Sequence, residues 1–221
     1  MFTIKICGIT RPEDARASAA AGADAIGLNF YPRSPRAIDL DRGRAIISAL
    51  PSGVIKVGLF VNAVAGEICR TFDALGLDLV QFHGDEPPEL LAALGDRPVM
   101  KAFRAAGADG LRTVLGYLET CRTLGCLPRL ILLDAPLARG FGGSGKLADW
   151  SLAKQYVETH QAPALVLAGG LKADNVAAAI RTSSAGAVDT ASGVESQPGI
   201  KDPAALAAFV HAARAARYAQ R

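Results

Sequence analysis

The chain contains few of the residues that mark several common protein classes. Aromatic residues make up only 6% of its 221 residues, which leaves little material for the stacking platforms of proteins that bind single-stranded nucleic acid. The Lys and Arg side chains are scattered and the net charge is only +3, so we expect no nucleic-acid partner. No apolar run approaches the length of a membrane span and the N-terminus lacks a signal-peptide pattern, so we expect a cytoplasmic protein without a membrane partner.

Cysteine and histidine are also sparse. The cysteines are Cys7, Cys69, Cys121 and Cys126. Cys121 and Cys126 are close in the chain, but no other Cys or His pair stands at the spacing of a zinc site. A chain that is 50% hydrophobic can build its core without disulfides, so we expect reduced thiols and no metal site.

Short β-rich runs alternate with Ala- and Leu-rich helical patterns along the whole chain. About eight such units, with no linker or shift in composition, predict an α/β fold with one domain over 1–221, a (β/α)8 TIM barrel. A doubly wound sheet is the alternative, but the first turn lacks a G-x-G-x-x-G pattern. We predict strands near 2–7, 24–30, 54–61, 78–82, 98–103, 129–134, 164–168 and 186–190. We predict helices near 12–21, 40–49, 64–75, 86–94, 109–120, 149–159, 173–181 and 203–217.

The first predicted strand ends in a thiol. Cys7 and Gly8 follow an alternating run, and Pro12 then stands at a predicted first helical position. In barrel enzymes the carboxyl ends of the strands hold the active site, so this position favours a catalytic thiol. A small apolar core residue is the alternative interpretation of Cys7.

Other chemically useful side chains follow other strands. Two prolines stiffen the loop that carries Arg33 and Arg36, and a guanidinium held in a fixed position is well suited to binding a carboxylate. The alternative interpretation of either arginine is a solvated cation on the surface. His83 is one of only three histidines, and it follows the fourth predicted strand. Asp134 ends the sixth strand among apolar residues, so burial is expected to raise its pKa and to keep a proton ready for donation.

Glycine-rich loops follow the last three predicted strands. Gly142, Gly143 and Ser144 lie in a loop suited to closing over a ligand, without P-loop spacing. Gly169 and Gly170 follow strand seven, and Ser192 and Gly193 follow strand eight. Barrels commonly bind phosphate with backbone N–H groups of these last two loops, although paired glycines also serve ordinary turns.

Taken in order along nearly the whole chain, these motifs resemble the phosphoribosylanthranilate isomerase family. The segments that carry the resemblance are Lys5–Thr10, Phe30–Arg36, Val57–Asn62, Gln81–Gly84, Leu133–Ala135, Gly142–Gly145, Leu167–Leu171, Ser192–Glu195 and Pro198–Asp202. The resemblance implies the step of tryptophan biosynthesis in which N-(5-phosphoribosyl)anthranilate, an aminoaldose phosphate, becomes an aminoketose phosphate by a cofactor-independent Amadori rearrangement. It implies one small-molecule substrate, no cofactor and no metal. We expect a monomer or a homodimer.

The resemblance also implies roles for individual residues. Asp134 would be the general acid that opens the furanose ring, and Cys7 the general base that removes the C2′ proton. Arg36 would hold the anthranilate carboxylate, and His83 would face the substrate. The phosphate would be held by Gly169, Gly170, Ser192 and Gly193, with Gly142, Gly143 and Ser144 as further substrate-binding residues.

Two details concern the supply of thiolate and the phosphate loop. Lys5 lies on the same strand face as Cys7, so we hypothesise that its ammonium stabilises the thiolate. Thr190 and Ala191 stand where the family pattern favours a second serine or asparagine, which predicts a modestly weaker grip on phosphate.

Two other functions remain open at this level. A pentulose-phosphate epimerase would need paired His and Asp metal ligands at strand ends, and only His83 stands at such a position. A non-catalytic sensor of a phosphorylated ligand would bind without needing Cys7 or Asp134. A histidine-pathway aminoaldose undergoes the same rearrangement but carries a second phosphate, and a single phosphate grip favours the tryptophan substrate.

Overall fold

The computed structural model describes residues 2–135, 147–159 and 163–218. Within them eight parallel strands form one closed barrel, each strand paired with its sequence neighbours and the first with the eighth. The strands are β1 (Ile4–Cys7), β2 (Ala25–Asn29), β3 (Ile55–Phe60), β4 (Leu79–Phe82), β5 (Val99–Arg104), β6 (Leu130–Asp134), β7 (Ala164–Leu167) and β8 (Ala187–Thr190). The predicted (β/α)8 barrel is confirmed, and the doubly wound alternative is wrong.

A helix follows each strand and packs on the outside of the barrel. The helices are α1 (Pro12–Ala20), α2 (Leu40–Ser48), α3 (Ala65–Leu75), α4 (Pro88–Ala92), α5 (Gly107–Thr123), α6 (Trp150–Glu158), α7 (Val176–Ser183) and α8 (Pro203–Tyr218). Their starts follow the sequence signals. Pro12 opens α1, and Asp202 caps α8, since it accepts from the N–H groups of Ala204 and Ala205 at 2.8 and 2.9 Å.

Alternation along the strands divides the side chains between two cores. Outward residues such as Ile4, Ile6 and Val188 pack with the helices. Their neighbours Lys5 and Asp189 therefore face the barrel interior, because successive side chains in a strand point to opposite faces.

The interior changes character along the barrel axis. An apolar cluster that includes Phe2, Leu79 and Met100 fills part of it. Buried polar side chains, namely Lys5, Gln81 and Asp189, interrupt this filling. The strand ends above this polar layer carry the side chains predicted for the site.

Two small elements after β8 were not predicted. A turn of 3₁₀ helix covers Ser192–Val194, and a short antiparallel hairpin pairs β9 (Glu195–Gln197) with β10 (Ile200–Lys201). Pro198 and Gly199 between the two strands signal a turn, but strands of two or three residues are too short to show a period. Across the described ranges no helix is long and apolar enough to cross a membrane.

Candidate active site

Eight of the predicted site residues line one cavity at the carboxyl ends of the strands. They are Cys7, Arg36, His83, Asp134, Gly169, Gly170, Ser192 and Gly193. Gly142, Gly143 and Ser144 lie outside the described residues. The fold thus brings together residues from β1 and β6 and from the loops after β2, β4, β7 and β8, in agreement with the position of active sites in barrels.

Cys7 lies almost buried at the end of β1, with 7% of its surface exposed. Burial raises the pKa of its thiol, and the nearby Lys5 ammonium lowers the pKa through charge and a hydrogen bond. Burial dominates, and the net direction is upward. The hypothesis that Lys5 stabilises the thiolate is confirmed in direction, but this effect is smaller than that of burial.

The Lys5 ammonium is itself held by a carboxylate. Lys5 Nζ donates to Asp189 Oδ1 at 3.0 Å, and both side chains are buried between the paired strands β1 and β8. Burial lowers the pKa of Lys5, but the charges of Asp189 and Cys7 raise it by more, so this pKa lies above its ordinary value. The lysine beneath the thiol therefore stays a cation.

Glycine in β2 makes room for both groups. A β-carbon added at Gly27 would stand 2.7 Å from Cys7 Sγ and 3.0 Å from Lys5 Nζ. No side chain fits at this position unless the thiol or the ammonium moves. Gly27 therefore helps to set the approach of Lys5 to Cys7.

Asp134 is bonded to His83 across the cavity. His83 Nε2 lies 3.1 Å from Asp134 Oδ2, and Gln81 Nε2 lies 2.9 Å from His83 Nδ1. The second Asp134 oxygen accepts from the Ala135 N–H at 2.7 Å. The site thus contains a chain of three side chains, from Gln81 through His83 to Asp134.

The predicted shift of the Asp134 pKa is wrong in direction. Burial does raise it, but the hydrogen bond and charge of His83, the Ala135 N–H and the Arg104 charge lower it by more. The net pKa lies below its ordinary value, so Asp134 is a carboxylate near neutral pH. The apolar neighbours of Asp134 in the chain indicate burial, but its partner His83 lies 51 positions away.

Arg36 is fixed by a carboxylate rather than held in solvent. Its Nε and Nη2 atoms donate to the two oxygens of Glu195 at 2.8 and 2.6 Å. Lys201 Nζ binds the same carboxylate at 2.8 Å and also donates to the Cys7 carbonyl at 2.6 Å. This contact joins the hairpin after β8 to the strand that carries the thiol. Glu195 and Lys201 were not predicted as site residues.

The Arg36 side chain also depends on a glycine in the first loop. Gly8 has φ +73, and an added β-carbon would stand 2.3 Å from Arg36 Cδ. The left-handed backbone and the close approach both require glycine here. In the loop itself, Ser34 Oγ accepts from the Asn29 amide at 3.0 Å and from the Arg36 N–H at 3.1 Å.

The loops after β7 and β8 approach each other closely. Gly169 and Gly170 have φ +82 and +64. A β-carbon at Gly193 would stand 1.9 Å from the Leu171 carbonyl oxygen, so only glycine fits. Thr190 donates its hydroxyl to that same carbonyl at 2.8 Å. The hydroxyl of Thr190 therefore joins the two loops.

A separate ion pair holds the loop after β4, which carries His83. Lys101 Nζ donates at 2.7 Å both to Glu86 Oε2 and to the Gly84 carbonyl. Glu86 also accepts from the Gly84 N–H, and from the Asn62 N–H at 2.9 Å. These contacts fix the backbone on the far side of His83.

Sequence signals existed for some of the missed residues. Asp189 is a charge inside a predicted strand, which calls for a buried partner, and Lys5 stands on the strand that a closed barrel places beside it. Gln81 is polar at an inward strand position. No local signal pointed to Lys201, because its contacts depend on the path of the hairpin. In the described part of the chain, no three His, Cys, Asp or Glu side chains are grouped to hold a metal ion.

A closed (β/α)8 barrel with a thiol, a carboxylate and two glycine loops around one cavity defines a class, the barrel enzymes that bind a small anionic substrate at their strand ends. The family model for N-(5'phosphoribosyl)anthranilate (PRA) isomerase matches residues 4–212. The chain belongs to this family, and its activity is that of an isomerase of tryptophan biosynthesis.

Proteins of the same name are similar over nearly the full length. The N-(5'-phosphoribosyl)anthranilate isomerase of Acidithiobacillus ferrooxidans is 47% identical over 210 residues, covering 95% of this chain and 96% of that protein. The protein of the same name from Pseudomonas fluorescens is 49% identical over 213 residues, covering 95% and 94%.

Solved structures of such isomerases share the fold. The Thermotoga maritima phosphoribosyl anthranilate isomerase is 40% identical with a TM-score of 0.86, covering 97% of this chain and 100% of that one. A phosphoribosyl anthranilate isomerase in complex with reduced 1-(o-carboxyphenylamino)-1-deoxyribulose 5-phosphate is 37% identical with a TM-score of 0.83 over the same shares.

Proposed function

We propose that Asp134 and Cys7 are the acid and the base of the isomerisation of N-(5'-phosphoribosyl)anthranilate. Asp134 protonates the furanose ring oxygen, and Cys7 removes the proton from C2′. Arg36 holds the anthranilate carboxylate. The phosphate is held by the loops that carry Gly169, Gly170, Ser192 and Gly193.

The proton transfers balance without a cofactor. The proton from Asp134 goes to the ring oxygen as its bond to C1′ breaks, which leaves a Schiff base on the anthranilate nitrogen. The Cys7 thiolate takes the C2′ proton, and the resulting enolamine takes a proton at C1′ while its C2′ hydroxyl loses one. The protein gains one proton at the Cys7 thiolate and loses one at the Asp134 carboxylic acid, so exchange with water restores both groups.

One observation carries this assignment: Cys7 and Asp134, from strands β1 and β6, line the same cavity as Arg36 and the two glycine loops. A cation stands on one side of the two reactive groups and backbone N–H groups on the other, which suits a substrate with a carboxylate and a phosphate at opposite ends. The ligand in the complex of the relative, reduced 1-(o-carboxyphenylamino)-1-deoxyribulose 5-phosphate, carries a carboxyphenyl group and a phosphate.

Rigid groups support the binding of the carboxylate end. Arg36 is only 12% exposed, and Glu195 fixes two of its nitrogens, so little side-chain entropy is lost when the remaining N–H groups bind an anion.

The Thermotoga relative is described as dimeric, with monomers generated from it. We expect this chain to be a monomer or a homodimer.

Substitution of the two reactive groups tests the assignment. Cys7→Ala and Asp134→Asn should each lower kcat by about 10²–10⁴-fold, the usual contribution of a general acid or base. The readout is the disappearance of the optical signal of N-(5'-phosphoribosyl)anthranilate, and binding of a phosphorylated product analogue should be largely retained.

Two controls match the chemistry of these substitutions outside the cavity. Cys69→Ala removes a partly buried thiol on α3, and Asp96→Asn neutralises an exposed carboxylate between α4 and β5. Both should retain full activity. Turnover preserved in Cys7→Ala and in Asp134→Asn would contradict the proposed roles, and loss of turnover on chelation would point to a metal-dependent reaction instead.

A further inference from the structure

Gln81 has a buried side-chain amide in which only the nitrogen, and not the oxygen, has a hydrogen-bond partner among the described residues. It is completely buried on β4, and its outward-facing neighbours Val80 and Phe82 pack in a separate cluster on the outer side of the barrel. Its Nε2 atom lies 2.9 Å from His83 Nδ1. Its Oε1 atom is buried and has no hydrogen-bond partner among the residues that the structure describes. Buried amides usually have partners at both ends, so this one requires an explanation.

The missing second partner leaves the orientation of the amide to His83. The two ends of a carboxamide are nearly the same in shape but opposite in hydrogen bonding, since the nitrogen donates and the oxygen accepts. With Nε2 towards the ring, Gln81 donates to an unprotonated Nδ1. Turned by half a rotation, the amide places Oε1 there and accepts from a protonated Nδ1.

Each orientation selects a state of the neighbouring carboxylate. When Nδ1 accepts from Gln81, the hydrogen of the neutral ring is on Nε2 and is donated to the Asp134 carboxylate, 3.1 Å away. When Nδ1 carries a hydrogen towards Oε1, Nε2 can pass its own proton to Asp134 and become an acceptor. The ring, a cation while both nitrogens carry hydrogen, then becomes neutral, and Asp134 becomes a carboxylic acid.

We propose that Gln81 is a positioning residue that turns its amide to hold His83 in the form which gives Asp134 the proton for ring opening. This inference rests on the proposed role of Asp134 as the acid. It explains how a carboxyl group that is ionised in the free protein can act as a proton donor. One proton enters the His83–Asp134 pair from water, passes from His83 to Asp134 and leaves on the ring oxygen as the C1′–O bond breaks.

The charges around His83 act on the same equilibrium. The carboxyl groups of Asp134 on β6 and Asp189 on β8 favour a protonated ring when they are ionised. Burial raises the pKa of Asp189 on balance, although the charge of His83 lowers it. Arg104 on β5 donates to the His83 carbonyl at 2.7 Å, and its positive charge opposes ring protonation. Lys5 pairs with Asp189 and offsets part of that carboxylate's field. The Gln81 amide is uncharged, so it can favour either state.

Two substitutions of similar size separate the two functions of the amide. Gln81→Glu presents only an acceptor to Nδ1, and Gln81→Met presents neither a donor nor an acceptor. The pH midpoint of His83 is measured from the ¹⁵N shifts of its ring nitrogens, assigned by their loss in His83→Gln, with the exposed His211 as an internal reference. In Gln81→Glu the midpoint should rise by about one pH unit or more, because a carboxylate favours the cation. In Gln81→Met it should fall, because a buried Nδ1–H loses its acceptor.

The acid limb of kcat/KM should move in the same direction as the midpoint in each variant. A wild-type midpoint for His83 in Gln81→Met would overturn the proposal, and this variant decides alone if Gln81→Glu does not fold by circular dichroism. The midpoints are measured without substrate, so they do not depend on the role of Asp134. Turnover retained by Asp134→Asn would contradict the proposed function and not the coupling of Gln81 to His83.

Discussion

The ammonium of Lys201 donates a 2.6 Å hydrogen bond to the carbonyl oxygen of Cys7. The lysine is buried, and the same ammonium binds Glu195 at 2.8 Å and the Ala191 carbonyl at 3.1 Å. A single side chain from β10 thus holds the end of β1, the turn after β8 and the carboxylate that fixes Arg36. The hairpin therefore supports both the Cys7 thiol and Arg36, the residue predicted to bind the substrate carboxylate.

Replacing this lysine should weaken both parts of the site. Lys201→Met leaves two backbone carbonyls and Glu195 with fewer donors, and it removes a charge that lowers the pKa of Cys7. We expect kcat/KM to fall by about tenfold or more, the effect of roughly 1.4 kcal/mol. Steady-state kinetics are compared with Lys154→Met on α6, whose side chain is 56% exposed. Equal kinetics in the two variants would show that the hairpin does not support the site.

The buried pair of Lys5 and Asp189 predicts a difference between single and double substitutions. Lys5→Met leaves the Asp189 carboxylate buried without its partner, which should lower the free energy of unfolding by about 3–5 kcal/mol. Lys5→Met with Asp189→Leu removes both charges and should recover most of that loss. Urea unfolding measures both. A double variant no more stable than the single one would contradict a simple charge-pair explanation.

The position of the thiol predicts the pH dependence of its reactivity. Its pKa is raised, so the thiolate is the minor form at neutral pH and becomes more abundant as the pH rises. We expect the rate of Cys7 alkylation by iodoacetamide to increase with pH through the alkaline range. In Lys5→Met this curve should move to higher pH, because the cation that lowers the thiol pKa is gone. An alkylation rate that already levels off below neutral pH would contradict a raised thiol pKa.

Glu195 should affect substrate binding more than the chemical step. Glu195→Gln weakens the paired contact that fixes Arg36 and also removes the charge facing Lys201. KM should rise by about tenfold while kcat changes little, because binding of the carboxylate is shared by substrate and transition state. Glu158→Gln on α6, whose side chain is 61% exposed, is the matched control. A drop in kcat with an unchanged KM would assign Glu195 to the chemical step instead.

The close contact between the last two loops predicts a sharp effect of one methyl group. Gly193→Ala places a β-carbon against the Leu171 carbonyl, so the loops must separate. Affinity for inorganic phosphate, measured by calorimetry, should fall, and the Tm should fall with it. Gly116→Ala on α5 meets no atom within 4 Å and should be neutral or stabilising by up to about 1 kcal/mol. Wild-type phosphate affinity in Gly193→Ala would place the phosphate elsewhere.

Local signals were sufficient for the barrel and for the positions of its strand ends. Alternation up to Cys7, the glycine after it and Pro12 at the helix start each act within a few residues, and all appear in the structure. The α4 helix begins later than predicted, at Pro88, because Pro87 precedes a proline and is held in extended backbone. It also ends earlier than predicted, at Ala92. Such features depend on neighbours in the chain, which a sequence displays directly.

The electrostatics of the site could not be obtained in this way. The pKa of Asp134 on β6 depends on His83, which follows β4 and lies 51 positions away in the chain. The fixation of Arg36 depends on Glu195, 159 positions away. Apolar neighbours in the sequence indicate burial but not which partner compensates it, so the predicted direction was wrong for Asp134.

The Lys5–Asp189 contact spans 184 positions and links the first strand to the last. Until β8 pairs with β1 in a growing or refolding chain, Lys5 lacks its partner Asp189 and the Cys7 thiol is not yet buried. Such long-range closure is slow compared with helix formation. The rate of Cys7 alkylation during refolding should therefore reach its native value only when the barrel closes. Following this rate would measure how fast the last step of assembly occurs.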